Sequence, residues 1–256
     1  MLKLVTVTNK DIIADLSKEE DITLLYPLKS FCVGYDIEFE IDEINDFVLV
    51  NRILNNTEMD KLEVILKASH IKGIVFDDLG VLEIIKDLDI VKILYLSHIG
   101  NNSVSINYYL DYVDSVIVSS DITKEEIRFI LKNSLKKLVL PVFGLMPLMY
   151  SRRSLLKNYN ENYNENLSSN IEVKVESKDK YFRIYENTFG TVFYGKNYYN
   201  ALELLNSDNV LYYWYNPVFL DKDSICNVVL KSDVTNVPSD AGFLYNKTTY
   251  KLKGDV

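Results

Sequence analysis

Cysteine and histidine are scarce in this chain of 256 residues, with two of each. Cys32 and Cys226 stand far apart and no CxxC occurs, so no four-thiolate zinc or iron–sulfur site can be assembled from this chain alone. Both cysteines read as small buried hydrophobes with reduced thiols, which suits the cytoplasm. No apolar run approaches the about 20 residues of a membrane span, and the opening MLKLVTVTNKD lacks a signal-peptide core. Glycine-rich phosphate loops are missing too, since neither GxGxxG nor a P-loop is found. No GxSxG elbow surrounds Ser151 and no histidine is near it, so a serine-hydrolase triad is unsupported. Basic charge is in short supply: 28 Lys and Arg against 37 Asp and Glu give a net charge of -9. That balance counts against a free-standing nucleic-acid binder. It leaves room for a local basic site, because Arg152 and Arg153 are adjacent.

What is present is a regular alternation. Hydrophobic residues make up 48% of the chain and charged residues 25%, which suits one globular domain over 1–256. Short β-branched runs predict strands at Leu2 to Thr8, Ile22 to Leu28, Phe47 to Ile53, Gly73 to Asp78, Lys92 to Ser97, Ser115 to Ser120 and Leu138 to Val142. Amphipathic stretches between them predict helices, with Asn56 or Thr57 capping the one from Glu58 to Ser69. Strands alternating with helices imply right-handed βαβ units and a parallel sheet. Seven units predict a TIM-like (β/α) barrel, possibly distorted, with Val210 to Pro217 as the eighth strand. Gly144 ends the seventh strand, and Pro147 is expected to start a helix through Leu148 to Asn158. Residues 158–170 (NYNENYNENLSSN) read as a polar surface loop, and 171–195 as an antiparallel β insertion before the last barrel strand. A short helix is expected at Tyr198 to Asn206, and residues 232–256 form an irregular tail. The tyrosines crowd the second half and read as a half-buried surface ahead of a stacking platform.

In a barrel the residues after each strand converge on one rim. By that argument Asn51, Asp78, His98, Asp121 and Arg152 belong to one site. Asp77 and Asp78 offer paired carboxylates for metal binding or base catalysis, or else one caps the next helix and the other faces solvent. His98 is placed to shuttle protons, or else is a hydrogen-bonded loop residue. Asp78, His98 and Asp121 are the catalytic candidates. Asn51, Tyr150, Ser151, Arg152 and Arg153 are the substrate-binding candidates, and no metal set is assigned.

The stretch from Gly144 through Tyr150, Ser151, Arg153, Leu155 and Leu156 resembles the signature of peptidase family U32, the collagenase-like proteases. FCVGYDIEFEIDEI, VNRILNNTEMDKL, IVFDDLGVLEIIKDL, NNSVSINYYLDYV, SSDITKEEI and RIYENTFGTVFYG are similar to other family segments, in order and spacing. The resemblance implies cysteines at the positions of Pro147 and Ser154, with two more downstream, holding an iron–sulfur cluster in members that act in RNA or quinone-precursor hydroxylation. It also implies a glutamate near Val139 and a histidine at Phe143. This chain keeps the frame without the thiols. It is therefore expected to lack the cluster, and to serve tRNA uridine hydroxylation through a cluster-bearing paralogue in a hetero-oligomer, reaching tRNA through that partner. A metal-dependent or collagenase-like peptidase is the alternative. A non-catalytic barrel binding a small anion at Arg152 and Arg153 is a third reading.

Overall fold

The computed structural model describes residues 1–95, 100–175 and 180–246. Its strands are β1 (Lys3–Thr6), β2 (Ile22–Pro27), β3 (Phe47–Val50), β4 (Gly73–Phe76), β5 (Val91–Leu94), β6 (Ser115–Val116), β7 (Leu138–Gly144), β8 (Pro147–Ser151), β9 (Asn170–Val175), β10 (Lys180–Asn187), β11 (Gly190–Gly195), β12 (Tyr198–Asn200), β13 (Val210–Asn216) and β14 (Ser239–Asp240). Its helices are α1 (Ile13–Leu16), α2 (Asn56–Lys67), α3 (Leu79–Ile85), α4 (Ser103–Tyr109), α5 (Lys124–Asn133), α6 (Leu155–Tyr163) and α7 (Lys222–Lys231). Among the described residues no helix is long and apolar enough to cross a membrane.

One curled sheet of ten strands runs in the order β14-β12-β7-β13-β1-β2-β3-β4-β5-β6. From β7 to β6 every join is parallel. Ile117 bridges to Val139, so the end of the run meets its beginning in a distorted barrel. Burial on both faces explains why these strands read as continuous apolar runs: β3, β4 and all seven residues of β7 are buried. Pro141 sits inside β7 without an N–H to give, and the register with β13 shifts just beyond its partner Trp214. The helices start where their caps are. Thr123 and Glu126 form a capping box on α5, and Asp221 caps α7. On α2 the capping box belongs to Asn55 with Glu58; Asn56 and Thr57, expected as caps, are already helical.

The segment after Gly144 departs from expectation. Pro147 opens a strand and not a helix. β8 pairs antiparallel with β11 at one edge of a four-stranded sheet, β8-β11-β10-β9. A proline costs little as the first residue of an edge strand, where its absent N–H is not needed. The helix waits until Leu155, where side chains from this same sheet take its first N–H groups. Leu155 N donates to Thr191 Oγ1 at 3.0 Å, and Leu156 N and Lys157 N donate to the Glu186 carboxylate at 2.7 and 3.0 Å. The polar loop expected from Asn158 therefore begins inside α6. Tyr198 to Asn206, expected as a helix, is strand β12 followed by a single 3-10 turn at Leu202–Leu204.

The antiparallel sheet lies across the carboxyl ends of the barrel strands. The Tyr194 hydroxyl donates to Gly34 O at 2.6 Å, the Arg183 guanidinium lies 3.9 Å from the Phe219 ring centroid, and Arg52 lies 4.0 Å from that of Phe189. Five tyrosines of the second half, Tyr194, Tyr198, Tyr199, Tyr213 and Tyr215, are buried among barrel and sheet, while Tyr159 and Tyr163 meet each other at a tilt at the surface.

Gly144 is where the barrel hands over to this sheet. Its φ is 142°, and a Cβ there would lie 2.2 Å from the backbone oxygen of Asn216. Gly144→Ala should therefore cost roughly 3 kcal/mol or more in urea unfolding. Gly195→Ala, whose Cβ would meet nothing nearer than 3.8 Å, should stay within about 1 kcal/mol of the parent.

Candidate functional site

Alternation along the strands decides what faces the barrel interior. The Tyr95 and Trp214 rings meet edge-on at 5.2 Å although β5 and β13 are not neighbours, so both point inward. Phe47 and Tyr212 do the same at 5.8 Å from β3 and β13. Two residues per repeat from Phe47 bring Leu49 and Asn51 to the inside, and the register Phe47↔Gly73 does the same for Val75 and Asp77. Asn51, Asp77 and Tyr95, each just past its strand, line a cleft of about 330 Å³ with Val33, Pro147 and Tyr150. β8 supplies the last two and so roofs the mouth of the barrel.

Asp77 is the carboxylate of this cleft. Burial pushes its carboxyl up to about 6, and the neighbouring Asp78 charge adds to the shift. Among the described residues no hydrogen bond reaches that carboxylate to offset the burial. Tyr95 and Tyr150 beside it are held as neutral phenols, chiefly by burial. The Tyr150 hydroxyl donates to Phe189 O at 3.2 Å. Asn51 is committed to positioning: it accepts from Val33 N at 2.9 Å and donates to Val33 O at 3.0 Å, fixing the loop that follows β2.

The other candidates fall elsewhere. Asp78, expected in the site, caps α3: it accepts from Gly80 N at 2.8 Å and from Leu54 N at 2.9 Å. The two carboxylates thus divide, one to structure and one to the cleft. Neither is the fully solvated residue of the simple capping picture. His98 lies outside the described residues. Asp121, exposed after β6, lines a neighbouring cleft of about 490 Å³ and not the one at Asp77. Ser151 Oγ accepts from Arg153 N at 3.2 Å. Arg152 pairs with Glu58 at 3.6 Å, and Arg153 is exposed, its carbonyl accepting from Thr191 Oγ1 at 2.8 Å.

The cation that does support the mouth is Arg52, which is 4% exposed. It pairs with Glu58 at 2.6 Å, donates to Ser30 O and lies over the Phe189 ring. Burial works against the Glu58 carboxylate, but the Asn55 N–H and the Arg52 guanidinium hold it below its usual range. Arg52 thereby ties β3 and α2 to the β10–β11 turn of the roof. The sequence signal for Asp77 over Asp78 was the period of two counted from Gly73. Nothing comparable marked Arg52, whose neighbour Phe189 is far away in the chain.

The model of Peptidase family U32 matches residues 42–172, just over half of the chain. Among solved structures, the U32 peptidase Mk0906 is similar at 11% identity and a TM-score of 0.47, over 57% of this chain and 70% of that one. A chitinase from Chromobacterium violaceum is similar at 8% identity and a TM-score of 0.44, over 90% and 98%. The spore cortex-lytic enzyme SleL of Bacillus cereus is similar at 9% identity and a TM-score of 0.41, over 86% and 71%. A search of curated proteins returns no match.

The raised carboxyl of Asp77 has a measurable thermodynamic sign. The penalty is absent below about 3.8, where the group is protonated folded or unfolded, and grows until the folded group has ionised above about 6. Asp77→Asn should therefore raise unfolding stability at pH 7.5 by up to roughly 3 kcal/mol. The gain should vanish below about pH 4, as followed by urea midpoints across that range.

Proposed function

The chain belongs to peptidase family U32, and from that premise we propose that it is a cluster-free member serving tRNA uridine hydroxylation beside a cluster-bearing relative, with the Asp77 cleft as its working site. One observation carries this reading. Pro147, at a position where the family resemblance implies a thiolate, lines the cleft together with Asn51, Asp77 and Tyr95. The frame around the mouth persists while its metal-binding chemistry is gone.

The residues here do not fit an iron–sulfur cluster. Proline and the serine at 154 offer no thiolate. Cys32 is buried with its thiol on Leu49 O at 2.6 Å, and burial pushes that thiol well up, against the ionisation that ligation needs. Cys226 sits on α7, in the helix that follows β13. The cluster's chemistry must then come from a second protein, which makes a hetero-oligomer with a family paralogue the working form, reaching tRNA through that partner. We read the curled sheet as a distorted TIM-like barrel, on its eight parallel strands and the Ile117–Val139 bridge. Unpaired cysteines suit the cytoplasm.

Within this reading the chain's own residues bind and orient. Asp77 takes up or releases a proton at its carboxyl, Tyr95 and Tyr150 present hydroxyls to a bound polar group, and β8 limits access of water. A second reading, a metal-dependent or collagenase-like peptidase, is favoured by one point. A carboxyl titrating at about 6 in a cleft is matched to acid–base work on an amide.

Deletion of the gene should lower wobble-uridine hydroxylation, measured by mass spectrometry of tRNA nucleosides, and Asp77→Asn should fail to restore it. Full hydroxylation in the deletion strain would sink the first reading. Cleavage of gelatin by the purified chain, abolished in Asp77→Asn, would establish the second; no cleavage with or without divalent metal would remove it.

A further inference from the structure

The four-stranded sheet ends at β9, which pairs antiparallel with β10 and with no other strand among the described residues. This edge carries neither proline nor bulge: the stretch is NIEVKV, and its register with β10 runs unbroken from Asn170 to Val175. One bond fixes the direction of its backbone groups. Glu186 N donates to Ser169 O at 2.8 Å, and these two residues continue the register of Tyr185 with Asn170. Hydrogen-bonded pairs alternate along an antiparallel ladder. Ile171 and Val173 therefore turn their N–H and C=O toward β10, while Asn170, Glu172 and Lys174 turn theirs outward. The Asn170 carbonyl already accepts from Ser168 Oγ at 2.6 Å, which leaves the span from Glu172 to Lys174 as the pairing edge. Side chains alternate as well. Val173 lines an apolar groove with Phe182, Ile184 and Phe193, on the face opposite the barrel-contacting Arg183 and Tyr194. Glu172 and Lys174 are exposed on the other face.

An outward row of backbone donors and acceptors is a template for a further strand. Two identical strands sharing this edge pair antiparallel about a two-fold axis, and charge selects the register. An axis at Glu172 sets that carboxylate against its own copy, and an axis at Lys174 does the same for the ammonium. Like charges directly opposite destabilise a ladder. An axis at Val173 sets Glu172 of each copy against Lys174 of the other. In that register the facing pairs are of opposite sign and exchange their outward backbone hydrogen bonds. Val173 meets its own copy in a pair without hydrogen bonds, where side chains come closest. We propose that β9 is a homodimerisation edge, through which two copies of this chain join their roof sheets antiparallel about Val173. The signs of charge decide this, whatever each side chain touches within its own copy; the Lys174 ammonium lies 5.3 Å from the Tyr181 ring centroid. The inference does not rest on the function proposed above, because no residue of β9 lines the Asp77 cleft.

Analytical ultracentrifugation of the purified full chain tests this. The parent should be dimeric at about 100 µM and dissociate on dilution, as a short edge contact implies. Glu172→Lys and Lys174→Glu each set like charges opposite one another, and each should weaken the dimer at least about tenfold. The two single variants mixed together should form a dimer containing one chain of each, because every facing pair is then of opposite sign. The double variant, Glu172→Lys with Lys174→Glu, should recover the parent's affinity for the same reason. Such recovery separates a lost pairing from a misfolded strand. Glu172→Pro removes an outward N–H and spares the ladder with β10, so it too should give monomer. A parent that stays monomeric at about 100 µM would overturn the proposal. So would single variants that associate as the parent does, or a double variant that stays monomeric.

Discussion

The close approach of Gly144 to Asn216 sets the geometry of everything above the barrel. β7 and β13 run side by side, and at their ends the backbone of one lies where a side chain of the other would have to be. Asn216 is fully buried, and both ends of its side-chain amide are hydrogen-bonded. Its amide donates to Leu145 O at 2.8 Å, and its carbonyl oxygen accepts from the Tyr35 hydroxyl at 3.1 Å. One side chain thus joins the last barrel strand, the exit from β7 and the loop after β2. Pro147 follows within three residues of Gly144, so the direction in which β8 leaves the barrel is decided here. The roof over Asp77 is consequently an extension of the core.

That roof explains how an acidic chain keeps an acidic group in working order. Asp77 carries its raised affinity for protons because the mouth is covered, and the cover is held by cations that are themselves engaged. Arg52 lies on Phe189 and pairs with Glu58, and Arg152 reaches the same carboxylate from β8. The adjacent arginines that drew attention in the sequence serve the frame more than the cleft. The cleft itself is lined by uncharged groups and by the one carboxyl of Asp77.

Much of the architecture was legible because parallel strands buried on both faces leave a continuous apolar signature. β3, β4 and β7 could be read directly, and so could the capping box Thr123 with Glu126. What misled was local chemistry with two meanings. Pro147 suits the first turn of a helix and the first residue of an edge strand equally, and only pairing with β11 decides between them. Tyr198 to Asn200 became a strand because the open end of β7 needed a partner, a fact of tertiary structure. The rim argument named Asn51, which lines the cleft, and Asp78, which caps α3, whereas Asp77 is the carboxylate that lines the cleft. The difference turned on counting the alternation one residue further. Arg52 carried no local signal, since its partner Phe189 comes from a distant segment.

The strand β6 is two residues long and touches β7 at the single Ile117–Val139 bridge, with the Val118 N–H on Val139 O at 2.9 Å. The other joins between the parallel strands are ladders of two to six residue pairs, most of them three or four. In mechanical terms this is a slit tube, stiff in bending and soft in torsion. Its slit emerges on the same rim as the two clefts, between Tyr95 on one side and Met146 on the other. Twisting the tube about its axis would therefore change the spacing of the clefts while the helices on the outside kept their packing.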